Sequence, residues 1–237
     1  MKYLIIYLIP ISLYAFTAQD QSRHLLELNS HLLEHKNNAP PEKVKENKFQ
    51  LKLDISTIPE MDNAVGSKVE KIETAPLLLK PTFKYIHKSG FYGGLIFVPG
   101  LTINKIESNL FSYSAGYMHA IWDTFTYRLN YAKSHSNVVG PITEENAKDE
   151  YEADNESYDV SIGYNFTNFI PYIGVGYGKV ISSIKAGDGA IIRTRKDYSL
   201  KYLGLNYKYD KDLSYNFEQH FYNSDFQNFT MSIIYAF

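Results

Sequence analysis

The chain of 237 residues has no cysteine. Disulfide cross-links and thiolate chemistry are therefore excluded, and a fold in an oxidising compartment must close through backbone hydrogen bonds instead. It also lacks any apolar run near the roughly 20 residues of a membrane-spanning helix; its most apolar stretch is the short one at the start. Neither sign of charge prevails, and a formal net charge of -2 excludes the basic footprint of a nucleic-acid binder. Aromatic residues are scarce at first, with Phe49 standing alone between Thr17 and Thr82. They make up 15% of the whole, so the rings must crowd into the remainder, and from Phe91 onward they do. The mean hydropathy of -0.30 does not decide the solvent. A strand that alternates apolar and polar residues averages to such a value in water or in lipid.

Lys2 and the amino terminus give a small positive region, followed by an apolar run over residues 3–14. Ala15 and Ala18 then offer cleavage points before the charged Asp20 and Arg23. This order predicts a secretory signal peptide over residues 1–18. His24-Leu-Leu-Glu27 returns as His31-Leu-Leu-Glu34, which puts Leu25, Leu28 and Leu32 on one helical face. The spacing predicts a short amphipathic helix over residues 20–36, stopped by Pro40 and Pro41. Residues 19–47 are then a short helix and linker, and residues 48–237 the main domain.

Over that domain the period of the pattern is two. Phe49, Leu51, Leu53 and Ile55 alternate with Gln50, Lys52, Asp54 and Ser56, as a strand with one apolar face requires. Similar alternation runs through residues 81–88, 91–103, 110–121, 125–132, 158–166, 173–178, 198–209, 213–221 and 227–237. Gly174, Gly176 and Gly178 hold the alternate positions of one segment, and Tyr202 with Leu203 breaks parity in another, which predicts a bulge. Short connections are expected at residues 88–90, 122–124, 167–169 and 210–212. Longer ones are expected at residues 57–75, 135–156 and 183–193. The reading gives ten strands, or eight if the first two segments are set aside.

The closing segment carries the clearest pattern. Phe229, Met231, Ile233, Tyr235 and Phe237 share one face; Asn228, Thr230, Ser232 and Ala236 share the other, with Ile234 the apolar intruder. An amphipathic strand ending on Phe resembles the closing strand of bacterial outer-membrane β-barrels, where the terminal aromatic belongs to the signal read by the insertion machinery. His87-Lys-Ser-Gly-Phe-Tyr-Gly-Gly94 and Glu107-Ser-Asn-Leu-Phe-Ser-Tyr-Ser-Ala-Gly-Tyr117, with the chain beyond them, resemble the broad group of small, porin-like bacterial outer-membrane β-barrel proteins. The resemblance implies an all-β fold: a transmembrane antiparallel up-and-down barrel of ten strands, or eight, with a short N-terminal helix, in the outer membrane of a Gram-negative cell. As partners it implies outer-membrane lipid, lipopolysaccharide and the barrel-assembly machinery, without naming an extracellular ligand. It gives Phe229, Met231, Ile233, Tyr235 and Phe237 the role of insertion signal, with Phe237 acting mainly at assembly and making few contacts afterwards.

With the aromatic face set toward lipid, Lys52, Asp54, Lys84, Arg128, Asp159, Lys201, Glu218 and His220 fall inside. Arg128, Asp159, Lys201, Glu218 and His220 are expected to form a lumen charge network, because opposite charges pair in a bore packed with side chains. His220 is the member able to change charge near neutral pH. His135-Ser136-Asn137 invites an enzymatic reading. The His-x-Ser-Asn signature of the outer-membrane lipid A deacylases separates its His and Ser by one residue, whereas here they are adjacent and point to opposite faces of a strand. The paired acids and His-Asp couple of the ten-stranded omptin proteases find no match in the sequence. Glu144, Glu145, Asp149, Glu150, Glu152, Asp154 and Glu156 predict an acidic, solvated loop. No catalytic, cofactor-binding or metal site is expected. The function read from this is a structural or surface-interaction barrel with a side-chain-filled lumen; the alternatives are a narrow passive pore and an outer-membrane lipid-modifying enzyme.

Overall fold

Alternation with period two becomes antiparallel pairing throughout a computed structural model of the chain. It describes residues 40–57, 61–65, 68–72, 77–103, 106–122, 124–140, 148–185, 189, 191–222 and 227–237. The expected signal peptide and the helix over residues 20–36 lie outside the described residues. The strands are β1 (Lys48–Thr57), β2 (Met61–Val65), β3 (Lys68–Ile72), β4 (Leu77–Ile86), β5 (Phe91–Ile103), β6 (Ile106–Ala120), β7 (Phe125–Gly140), β8 (Asp149–Tyr164), β9 (Phe169–Lys185), β10 (Ile191–Lys208), β11 (Leu213–Tyr222) and β12 (Gln227–Ala236).

β1 pairs with both β4 and β12, which closes a ten-stranded antiparallel barrel in the order β1-β12-β11-β10-β9-β8-β7-β6-β5-β4, while β2 and β3 form a separate hairpin. The ten-strand reading holds, because both early segments, β1 and β4, are staves of the wall. Closure leaves no strand edge along the wall, which is what a sheet in hydrocarbon requires. At the joint Phe49 and Phe237 exchange both backbone hydrogen bonds, at 3.0 and 2.9 Å. Gly90, at φ +96°, makes the tight turn between β4 and β5, with its N–H donating to His87 O at 2.8 Å.

Outward-facing residues are apolar in a band: Tyr158, Val160 and Ile162 on β8, Ile173, Val175 and Tyr177 on β9, Phe229 and Tyr235 on β12. The short turns and both barrel termini lie at one end, and the remaining connections at the other.

Three expectations are corrected. From Asp149 onward the acidic segment is not a loop but strand: Glu150, Glu152, Asp154 and Glu156 lie on the outer side of β8, while Asp149, Tyr151, Ala153 and Asn155 are buried; Glu144 and Glu145 lie outside the described residues. The stretch expected to connect residues 183 and 193 is wall at both its ends, since β9 runs to Lys185 and β10 starts at Ile191. Strand polarity there reflects water on the outer face, because the wall continues beyond the apolar band. Finally, β10 has no bulge at Tyr202 and Leu203: its pairing with β9 runs unbroken from Ile191 to Tyr207.

Candidate functional site

The lumen is filled, and the filling begins with glycine. Tyr92 pairs across strands with Gly116, Tyr202 with Gly174, Tyr198 with Gly178, and Tyr172 with Gly204. In each case the tyrosine ring occupies the space that a Cβ on its partner would need. The rings therefore fold inward over bare backbone, so the rule that sends aromatic side chains to lipid fails at these positions.

Their hydroxyls hold the charges in place. Arg128 makes an ion pair with Asp159 and also donates to the Tyr202 hydroxyl. Tyr202 donates to Asp159 Oδ1 at 2.7 Å, Asn130 Nδ2 to Asp159 Oδ2 at 2.8 Å, and Tyr92 to Asn130 Oδ1 at 2.8 Å. The Arg128 guanidinium lies over the Tyr202 ring, 5.8 Å from its centre. A second group joins Tyr172, Asn216, Glu218 and His220: the Tyr172 hydroxyl donates to Glu218 and lies 2.8 Å from Asn216 Oδ1, and His220 Nε2 lies 3.1 Å from Glu218 Oε2. A third is built on Asp54, which takes Lys52 Nζ at 2.9 Å and the Ser232 hydroxyl at 2.6 Å. Toward the end opposite the short turns the filling turns apolar, with Ile96, Val98, Leu110, Tyr151, Val180, Ile184 and Tyr198 packed as one cluster.

Of the expected network, Arg128, Asp159, Glu218 and His220 are buried in the lumen. Lys201 is not. It faces outward on β10, because Tyr198, Leu200, Tyr202 and Gly204 keep strict inward parity and leave the odd positions outside. The sequence signal for that parity was present in the glycines of β9, whose cross-strand partners are those inward residues.

The turn end is closed by a segment that sequence reading had assigned to the linker. Pro40, Pro41 and Glu42 are buried; Pro41 sits over Gly163, in the space a Cβ there would need, and Val44 packs on Ile86, Tyr92 and Met118. Glu42 makes ion pairs with Lys48 and, at 3.2 Å, with Lys208, and it accepts from Gln50 at 3.4 Å. Burial alone would raise the Glu42 carboxyl, but Lys48 and Lys208 outweigh it and bring it down to about 2.

The candidate enzymatic triplet does not assemble. Ser136 is buried on the lumen side of β7, whereas His135 faces outward and meets Asp154 of β8 at 3.0 Å. That His-Asp couple pairs across strands, out of reach of sequence spacing. Among the described residues, no three His, Cys, Asp or Glu side chains gather to hold a metal ion.

The insertion-signal row lies along the outer face of β12, with Phe229, Tyr235 and Phe237 exposed and Met231 and Ile233 half-buried, and Ile234 points inward.

No family model and no curated relative matches this chain. Among solved structures, the translocator domain of the autotransporter NalP from Neisseria meningitidis is 10% identical over 92% of this chain and 95% of its own, with a TM-score of 0.46. Ail, the attachment invasion locus protein of Yersinia pestis, is 11% identical over 81% of this chain and 99% of its own, with a TM-score of 0.34. The Pseudomonas putida toluene transporter TodX is 11% identical over 81% of this chain and 89% of its own, with a TM-score of 0.37.

Proposed function

We propose that this chain is an integral outer-membrane barrel that acts through the surface its strands present outside the membrane, with a lumen closed to solute flow. The observation that carries the second half is the Arg128–Asp159–Tyr202 group across the bore, buried and hydrogen-bonded from β7, β8 and β10. The Pro40–Glu42 stopper at the turn end and the apolar cluster at the other add to it. Barrels of this strand number have interiors that side chains can fill, whereas open aqueous channels need about sixteen strands. The first half rests on the outer parts of β7 to β10. They run past the apolar band and present Glu150, Glu152 and Asp154 beside Lys185, Arg193 and Arg195 on their outward faces.

Planar-bilayer recording of the refolded protein tests the reading. The expected result is a silent membrane at neutral pH, with insertion verified by protease protection and heat-modifiable gel migration. A steady ohmic conductance would overturn it in favour of the narrow pore.

A further inference from the structure

Glu152 of β8, Ser183 of β9 and Arg193 of β10 are consecutive cross-strand partners on the outer side of the wall, beyond the apolar band. Glu152 and Arg193 are exposed, and Ser183 is half-buried between them. The acid and the arginine stand two strand spacings apart, about 9–10 Å from backbone to backbone, and do not pair with each other. Neither finds a charge on its other side. Glu152 is flanked on β7 by Asn137, and β11 pairs with β10 only from Leu200 onward, so it ends short of Arg193. The charges around them already have partners: Glu150 has Lys185 at 3.7 Å, Asp154 has His135 at 3.0 Å, Glu156 has Lys179 at 3.3 Å and Arg195 has Asp197 at 3.1 Å. Glu152 and Arg193 have no ion-pair partner among the described residues.

We propose that this row is the centre of a contact between two copies of this chain, with a twofold axis through Ser183 and Glu152 of each copy paired with Arg193 of the other. The proposal rests on the outer-membrane reading above and names a partner for the exposed wall. A closed pair of copies inserted the same way in one membrane has its twofold along the membrane normal. Such an axis keeps every residue at its own depth and, placed at β9, lays β8 of each copy against β10 of the other. The outward side of β8 is acidic at Glu150, Glu152 and Asp154, and that of β10 is basic at Arg193 and Arg195, so the face is complementary to itself. An axis through β8 or β10 would instead set like charges together. Barrel strands tilt by about 35–45° from the barrel axis, so the two copies of β9 cross at Ser183, and the copies of Lys179 and of Lys185 diverge from each other. Ser183 is small enough for close approach, and Ile181, exposed on the same side of β9, supplies apolar surface beside the ions. Confinement to one plane and one orientation lowers the cost of association that two freely tumbling proteins meet.

Cross-linking of the refolded protein in lipid vesicles tests this, and the absence of cysteine makes a single introduced thiol a clean probe. Ser183→Cys, treated with a short bismaleimide, is expected to give a covalent dimer. Asn109→Cys is the control, because it is exposed at the β6 end of the same row, three strands from the axis, and should give little. In the Ser183→Cys background, Glu152→Arg or Arg193→Glu should lower the dimer yield about tenfold by setting like charges together at both contacts. The two changes combined should restore it. Heat-modifiable migration and protease protection verify folding and insertion; if a charge variant fails to fold, Ser183→Cys against Asn109→Cys decides alone. Equal yields from those two, the mark of random collision, overturn the proposal. So does a double charge variant that stays as low as its singles, the mark of charges that do not meet across the axis. Both results leave the outer-membrane reading standing as long as the protein inserts. A chain that does not insert at all overturns that reading and the proposal with it.

Discussion

Tyr202 on β10 stands directly across from Gly174 on β9, with its ring over the glycine where a side chain would otherwise be. The ring cannot swing away without loss, because its hydroxyl is held by both Arg128 and Asp159. Residue size on one strand is thereby coupled to charge satisfaction between two others.

Gly174→Val is therefore expected to destabilise the barrel by about 3 kcal/mol, from overpacking together with hydrogen bonds lost when the ring is displaced. The double variant Gly174→Val with Tyr202→Ala should be less unstable than the sum of its singles, since the valine then enters vacated space. Urea unfolding in lipid vesicles measures both. Strict additivity would show that the ring and the glycine are not coupled.

The Arg128–Asp159 pair leads to a second expectation. Arg128→Met alone leaves a carboxylate buried without its counter-charge, which typically costs about 3–5 kcal/mol. Replacing both, as Arg128→Met with Asp159→Leu, removes the charge problem and should recover most of the loss. The same unfolding assay reads it, and a double variant as unstable as the single would show that packing, not charge, dominates the site.

The legible and illegible parts of this structure divide along a physical line. Phe49-Gln-Leu-Lys-Leu-Asp-Ile-Ser56 and residues 229–237 declare themselves as strands because each has one wet and one dry face. The outer end of β8 does not, since its outward Glu150, Glu152 and Asp154 meet water and its polar pattern matches that of a loop. Inward tyrosines were hidden for a different reason. Tyr92 and Tyr202 face the lumen only because Gly116 and Gly174 lie opposite, and that pairing exists in the register rather than in either strand alone. Lys201 was misplaced by the same oversight. Glu42 was invisible because Lys208, one of its cations, lies at the far end of the chain.

Acid should loosen the stopper at the turn end. The Glu42 carboxyl sits at about 2 in the folded protein against an ordinary 4.5, so its folded-state value is depressed. Its contribution is then fully present above pH 4.5 and is lost as the pH falls toward 2, in all about 3 kcal/mol. Glu42→Gln should lower stability at pH 7 and flatten the pH dependence across that window. Unfolding midpoints of the two proteins from pH 7 to pH 2 provide the comparison, and parallel curves would remove Glu42 from the account.

Phe237 does more at the joint than an assembly tag would. Its backbone N–H and C=O both bond to Phe49, and its ring stacks on the Phe49 ring with centres 6.1 Å apart, so the expectation of few contacts is corrected. Deleting it removes the last rung between β1 and β12, whereas Phe237→Asp keeps the rung and loses only the ring. The two changes consequently separate assembly from closure. If the terminal aromatic is read by the insertion machinery, both variants should lower the amount inserted in the outer membrane. Only the deletion should in addition lower the unfolding midpoint of purified, refolded protein, by the roughly 1–2 kcal/mol of a pair of backbone hydrogen bonds at a partly wet end. Quantitative fractionation of cells and urea unfolding of refolded barrels supply the two readings. Normal insertion of Phe237→Asp would remove the aromatic signal and leave Phe237 a purely structural closing residue.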